Sequence, residues 1–215
     1  MINNPPVLPL QIDSSARNDK ATFYDHLAKS LRALLQGEKN WIVNLSNTAS
    51  LLFNSYHQTS RREINWTGFY MLPHLFPHAP QSKPLLSKPD PFASNKLLLG
   101  PFQGKPACQH IILPPLVDET PVSKSTKSPV SVCARSFIDR APQLVQDVSK
   151  FPGHIACDSD TKSELVLPIL IKRQGVNCCV GVLDLDCTIV NGFDEEDVKG
   201  LQNVLEVLVK CTEWW

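Results

Sequence analysis

The stretch ELVLPILIKRQGVNCCVGVLDLDC, residues 164–187, decides the fold. It holds two β-rich runs, residues 164–172 and 178–187, separated by residues 173–177, which begin with Arg173, Gln174 and Gly175. Two such runs joined by a short turn containing glycine read as a β-hairpin. Upstream, residues 64–71 alternate and are rich in aromatic side chains, and residues 97–100 form a short apolar run, so further strands are expected to join the hairpin.

Helical patterning flanks these strands. Residues 20–36 place Phe23, Leu27, Leu31, Leu34 and Leu35 at helical spacing, and residues 41–56 repeat the pattern with Leu45, Leu51 and Leu52. Residues 194–211 open with an acidic turn and carry Val198, Leu201, Val204, Leu205 and Leu208 on one side, as a C-terminal helix does. Helices at both ends with antiparallel strands between them predict an α+β fold whose sheet is covered on one face.

A chain of 215 residues supports one proper core. The expected organisation is a flexible arm over residues 1–18 followed by a single domain over 19–215. Thirteen of the 18 prolines fall in the arm, in residues 72–96 and in residues 113–130, so the last two stretches read as loop insertions. Lys and Arg number 21 and so do Asp and Glu, which leaves no net charge to draw in nucleic acid or an anionic membrane. No apolar run approaches the roughly 18 residues needed to span a bilayer. The first residues lack a basic segment and an apolar core of the secretory kind, which points to the cytoplasm, with the nucleus also accessible.

Seven cysteines without a secretory signal do not suggest a disulfide framework. Cys178, Cys179 and Cys187 lie in the hairpin and Cys211 in the last helix, where free Cys acts as a small hydrophobe. Cys108, Cys133 and Cys157 occupy loop-like contexts, with spacings of 25 and 24 residues (133 − 108 and 157 − 133). That pattern contains no Cys-x-x-Cys pair, and His110 and His154 add no adjacent His pair, so spacing assigns no metal. A loop thiolate with two further loop cysteines suits sulfenic-acid chemistry instead.

Asp184 and Asp186 stand two apart in an apolar strand and therefore share a face. Two buried like charges are costly, so they face either solvent on an edge strand or a ligand. Glu164 could join them to hold an ammonium group and supply a proton. Trp66 and Tyr70 also share a face, as core residues or as a pocket wall suited to a thioether methyl.

The motifs NWTGFY, LLLGPFQGKPACQHI, GHIACDSDTKSELVLPI and GVLDLDC, in this order across about residues 64–186, closely resemble the free methionine-R-sulfoxide reductases, a GAF-domain family. The resemblance implies a GAF-like fold, a central antiparallel sheet flanked by N- and C-terminal helices, commonly a homodimer, acting on free rather than protein-bound methionine sulfoxide. It implies that Cys157 is the nucleophile, with Cys108 and Cys133 as resolving thiols. Glu164, Asp184 and Asp186 become the acids that hold the substrate's amino group and protonate its oxygen, and Trp66 and Tyr70 the wall around its methyl. No cofactor is implied beyond an external dithiol, thioredoxin, to reduce the resulting disulfide. The chain departs from the family pattern in its long proline-rich stretch after Met71, in the lengthened segment before Cys133, and in SVCA where the family writes GVCG. Two other readings share this fold: a noncatalytic GAF module that binds a small ligand, and a redox sensor that does not turn over.

Overall fold

In the computed structural model, residues 19–59, 63–76, 95–114, 130–152 and 158–214 are described. The arm, most of both proline-rich insertions and Cys157 lie outside the described residues.

Three helices start on side chains that accept backbone N–H groups. Asp19 caps α1 (Lys20–Leu34) and Asn40 caps α2 (Trp41–His57). Asp194 caps α4 (Glu195–Cys211) in a reciprocal box with Asp197, beside an acidic first turn that matches the positive end of the helix dipole. The strands are β1 (Ile64–Met71), β2 (Lys96–Gly104), β3 (His110–Ile112), β4 (Gln143–Val145), β5 (Ser163–Arg173) and β6 (Val176–Cys187). They form one antiparallel sheet in the order β3-β2-β1-β6-β5-β4. The long β5–β6 hairpin turns at Gln174 and Gly175, both in the left-handed region.

The central strands are buried on both faces, and each face has its own core. On one side Phe69, Leu165, Leu167, Leu183 and Leu185 meet Phe23, Leu27, Leu31 and Tyr56 of α1 and α2 and Leu201, Val204 and Leu208 of α4. On the other, Trp66, Tyr70, Val166 and Val182 pack with Val132, Cys133 and Ala134 of a further short helix, α3 (Val132–Asp139), which is capped by Ser131. The expected sheet covered on one face is therefore corrected. The proline-rich sequence ahead of α3 hid an eight-residue helix, too short to show a period, that covers the second face. The segment around Cys133 likewise is not a loop, because Cys133 sits in the first turn of that helix. Among the described residues no helix is long and apolar enough to cross a membrane.

The first face contains one fully buried carboxylate. Asp197 accepts from Tyr24 Oη at 2.7 Å, from Lys20 Nζ at 2.9 Å and from the Asp194 N–H at 2.8 Å. Tyr24 Oη in turn lies 2.7 Å from Tyr56 Oη, so one ion links α1, α2 and the start of α4. Removing a buried charge that satisfies several donors leaves them unpaired. Asp197→Ala is expected to lower unfolding free energy by roughly 3 kcal/mol in urea denaturation. A loss below about 1 kcal/mol would mean that water satisfies these donors as well as Asp197 does.

Candidate functional site

Register places the chemistry. In the antiparallel β1–β6 and β5–β6 ladders Trp66 and Glu164 both stand opposite Asp186, and Gly68 and Val166 both stand opposite Asp184. Residues paired across such strands point to the same face. The three acids and the aromatic wall thus share the α3 face, although the acids are separated by up to 22 residues (186 − 164). Together with Tyr70, Lys105, Thr161, Ser131 and Cys133, they line one pocket.

The wall is made by stacking. The Trp66 ring lies between Tyr70, with centroids 6.0 Å apart and planes at 21°, and Phe102, at 5.5 Å and 16°. Gly68 makes room for it, since a Cβ there would lie 2.4 Å from both the Trp66 ring and Phe102 Cβ. The polar tips of the wall hold the next loop. Trp66 Nε1 donates to the Lys105 carbonyl and Tyr70 Oη to the Cys108 carbonyl, each at 3.1 Å. Cys108 is half-buried in that loop, just beyond the pocket-lining Pro106 and Ala107.

Lys105 ties this loop to residues 158–160. Its ammonium lies 2.7 Å from Asp160 and 3.1 Å from Asp158, and Asp158 also accepts from Asn65 at 3.2 Å. Asp160, then Asp158, hold the Lys105 ammonium above its usual range. The backbone N–H of Asp160, then Lys105, hold Asp158 below the usual carboxylate range. Lys105 is exposed, so the energy of these pairs is modest, but they fix where two loops meet.

At the pocket floor Cys133 Sγ donates to Asp184 Oδ2 at 3.3 Å and lies 4.0 Å from Glu164 Oε1. Two effects compete at this thiol. The start of α3 favours a thiolate by typically 0.3–1 kcal/mol. Burial opposes it, and each ionised carboxylate about 4 Å away opposes it by roughly 4 kcal/mol near a protein surface. Burial and the carboxylates prevail, and burial first, then Asp184 and Glu164, push the thiol well above its usual range. Asp184 is itself driven well up by burial and then by Glu164, with the Cys133 hydrogen bond pulling the other way. Part-buried Asp186 follows, through burial and then its neighbours Asp184 and Asp158. Two buried oxygens in the pocket, Asp184 Oδ1 and Thr161 Oγ1, have no hydrogen-bond partner among the described residues. Native proteins rarely leave such atoms unsatisfied, and a polar ligand would complete both.

The structure brings Trp66, Tyr70, Cys133, Glu164, Asp184 and Asp186 together and leaves Cys108 just outside the lining. Cys157 lies outside the described residues, but Asp158, the next residue in the chain, lines the pocket. His110 is exposed on β3, away from the acids. Phe102, Lys105 and Thr161 were not identified from sequence. Lys105 and Phe102 lie inside the quoted GPFQGKPAC motif, the one signal that pointed toward them.

No family model matches the chain. It is 34% identical to the free methionine-R-sulfoxide reductase of Saccharomyces cerevisiae over 93% of its own length and 91% of that protein's. A solved GAF domain superposes with a TM-score of 0.70 at 33% identity, covering 95% of this chain and 94% of that one. The free methionine-R-sulfoxide reductase of Neisseria meningitidis, solved in complex with its substrate, superposes with a TM-score of 0.66 at 28% identity, covering 90% of each chain. The GAF-like α+β fold follows from these likenesses together with the sheet order above.

Asp184→Asn removes the charge nearest Cys133 and should lower the apparent pKa for its alkylation by iodoacetamide, read peptide by peptide by mass spectrometry. An unchanged or raised value would show that burial alone governs the thiol.

Proposed function

Since the chain belongs to the free methionine-R-sulfoxide reductase family, we propose that it reduces free methionine-R-sulfoxide to methionine with thiols as the source of electrons. The observation that carries this reading is the pairing, across a single pocket, of a buried acidic floor with a stacked aromatic wall. An acidic floor pays for its desolvation only when a cation or protons neutralise it. A free amino acid brings an ammonium group; a methionine inside a peptide does not. The Trp66 and Tyr70 faces suit the polarizable methyl-sulfur end of the same molecule.

In this reading the Cys157 thiolate attacks the sulfoxide sulfur while a carboxyl of the floor gives its proton to the sulfoxide oxygen. The hydroxyl then passes from the substrate sulfur to the Cys157 sulfur as the substrate S–O bond and the newly formed S–S bond break, so methionine leaves with its sulfur reduced by two electrons and Cys157 is oxidised to a sulfenic acid. A second thiol condenses with that acid, releasing water and forming a disulfide, which an external dithiol of the thioredoxin class reduces by exchange. Cys108 is the better resolving thiol. Cys133 keeps its proton on Asp184, and a protonated thiol is a poor nucleophile. Burial raises the pKa values of Asp184 and Asp186, which favours their protonated, proton-donating forms.

Separated R and S isomers of free methionine sulfoxide, with dithiothreitol or thioredoxin as reductant, test the assignment directly. Methionine should be released from the R isomer alone, and Cys157→Ser should abolish release. Asp184→Asn is expected to lower kcat/KM by roughly 10²–10⁴-fold, the range for a lost proton donor. A general acid is active when protonated, so the rate should decline as pH rises through its raised pKa. That decline should disappear in the variant of whichever aspartate donates. Release from neither isomer would overturn the proposal.

A further inference from the structure

From the side chains at the pocket floor we infer a binding site for a divalent transition-metal ion of the zinc type, built by Cys133, Glu164 and Asp184. One ligand atom from each of the three lies within 4.8 Å of the other two. Around a tetrahedral zinc, with bonds of about 2.3 Å to sulfur and 2.0–2.2 Å to oxygen, neighbouring ligand atoms lie roughly 3.5 Å apart. The separations of 3.3 Å and 4.0 Å from Cys133 Sγ to the two carboxylates bracket that spacing, so small side-chain rotations would close the site.

Burial and an unsatisfied oxygen distinguish this trio from an ordinary acidic cluster. Cys133, Glu164 and Asp184 are 3%, 6% and 6% exposed. Asp184 Oδ1 is buried in the pocket without a hydrogen-bond partner among the described residues, while Oδ2 of the same group is engaged by Cys133. The carboxylate therefore keeps a second lone-pair-bearing oxygen available beside the one that Cys133 engages. One sulfur and two carboxylates favour a borderline ion over calcium or magnesium, which prefer all-oxygen shells. Three protein ligands leave the fourth position facing the pocket, open to water or to a ligand.

The fold makes this site, and spacing conceals it. Cys133 comes from α3, Glu164 from β5 and Asp184 from β6, at separations of 31 and 20 residues (164 − 133 and 184 − 164). An ion there holds Cys133 as a thiolate bound to metal, displacing its proton, and occupies the region where a substrate ammonium would sit. The ion is thus an inhibitor that competes with any cationic ligand and shields this thiol from oxidation. The site does not depend on the reductase assignment, because the three ligands and their distances stand without a substrate.

Cobalt(II) provides the test, since thiolate ligation gives it a near-ultraviolet charge-transfer absorption that carboxylates do not. Anaerobic titration of the reduced full-length protein should produce this band with one cobalt per chain, and equimolar zinc should abolish it. Cys133→Ser should remove the band, whereas Cys108→Ser and Cys157→Ser should keep it. Asp184→Asn and Glu164→Gln should retain the band with affinity weakened roughly tenfold or more, since losing a ligand costs at least as much as losing a second-sphere partner. Their folding can be checked independently by circular dichroism, so the inference does not hang on one variant. No band in the wild type, a band surviving Cys133→Ser, loss of the band in Cys108→Ser or Cys157→Ser, or full affinity in both carboxylate variants would each overturn the site. A protein that binds cobalt in this way but releases no methionine keeps the metal site and loses the reductase reading; the opposite result loses only the metal site.

Discussion

Three carboxyl groups on one face of the central strands, two of them buried and the third part-buried, impose the constraint around which the second half of the domain is arranged. Glu164, Asp184 and Asp186 are brought together by the register of β5 on β6, and no amount of side-chain adjustment can separate them without a slip of the hairpin. A one-residue slip would turn every side chain to the other face, driving these acids into the aliphatic core and its leucines into the pocket. The large apolar core against α1, α2 and α4 thereby fixes the register, and the register fixes the charge cluster. Stability is generated on one face and spent on the other.

That division explains the sparing use of cations in the pocket. Among the described residues lining it Lys105 is the single basic side chain, and its ammonium is taken up by Asp158 and Asp160 at the rim. The floor is left to be neutralised by protons or by something that enters. Protons are favoured there, since burial displaces Asp184, Asp186 and the Cys133 thiol upward. An entering cation replaces them, so binding of a positively charged group and release of protons are linked events in this pocket. The same physics covers an ammonium group and a metal ion, which differ in what they ask of Cys133: the first leaves it a thiol, the second needs the thiolate.

Much of this was legible in the residues. Period-two spacing placed Asp184 with Asp186, and Trp66 with Tyr70, on common faces, and both pairs line the pocket. The hairpin and the three long helices were readable because each is long enough to repeat its own period. What was not legible is short or non-local. The three-residue strands β3 and β4 carry no period at all, and the eight-residue α3 follows a proline-rich segment that masks its start. The tie from Lys105 to Asp158 spans 53 residues (158 − 105), and nothing at either end announces the other. Thr161 shows its importance only through an oxygen left without a partner once the chain is folded.

The placement of Cys133 shows why sequence context alone misjudges a thiol. A cysteine in the first turn of a helix is ordinarily a candidate for a lowered pKa, because the helix dipole favours the anion. Here the same first turn presents the sulfur to a floor of carboxylates, and at these distances one full charge outweighs the partial charge of a helix end several-fold. Cys108 lies outside the pocket lining, on a loop held by Trp66 and Tyr70 through its carbonyls and by the Lys105 ion pairs to Asp158 and Asp160. Two cysteines that both read as loop residues therefore end in different settings: Cys133 donates to a carboxyl of the floor, while Cys108 stands at the pocket's edge on a loop that Trp66 and Tyr70 hold in place. A change at Trp66 or Tyr70 accordingly reaches the loop cysteine as well as the pocket wall, so binding and thiol placement cannot be altered independently from that side.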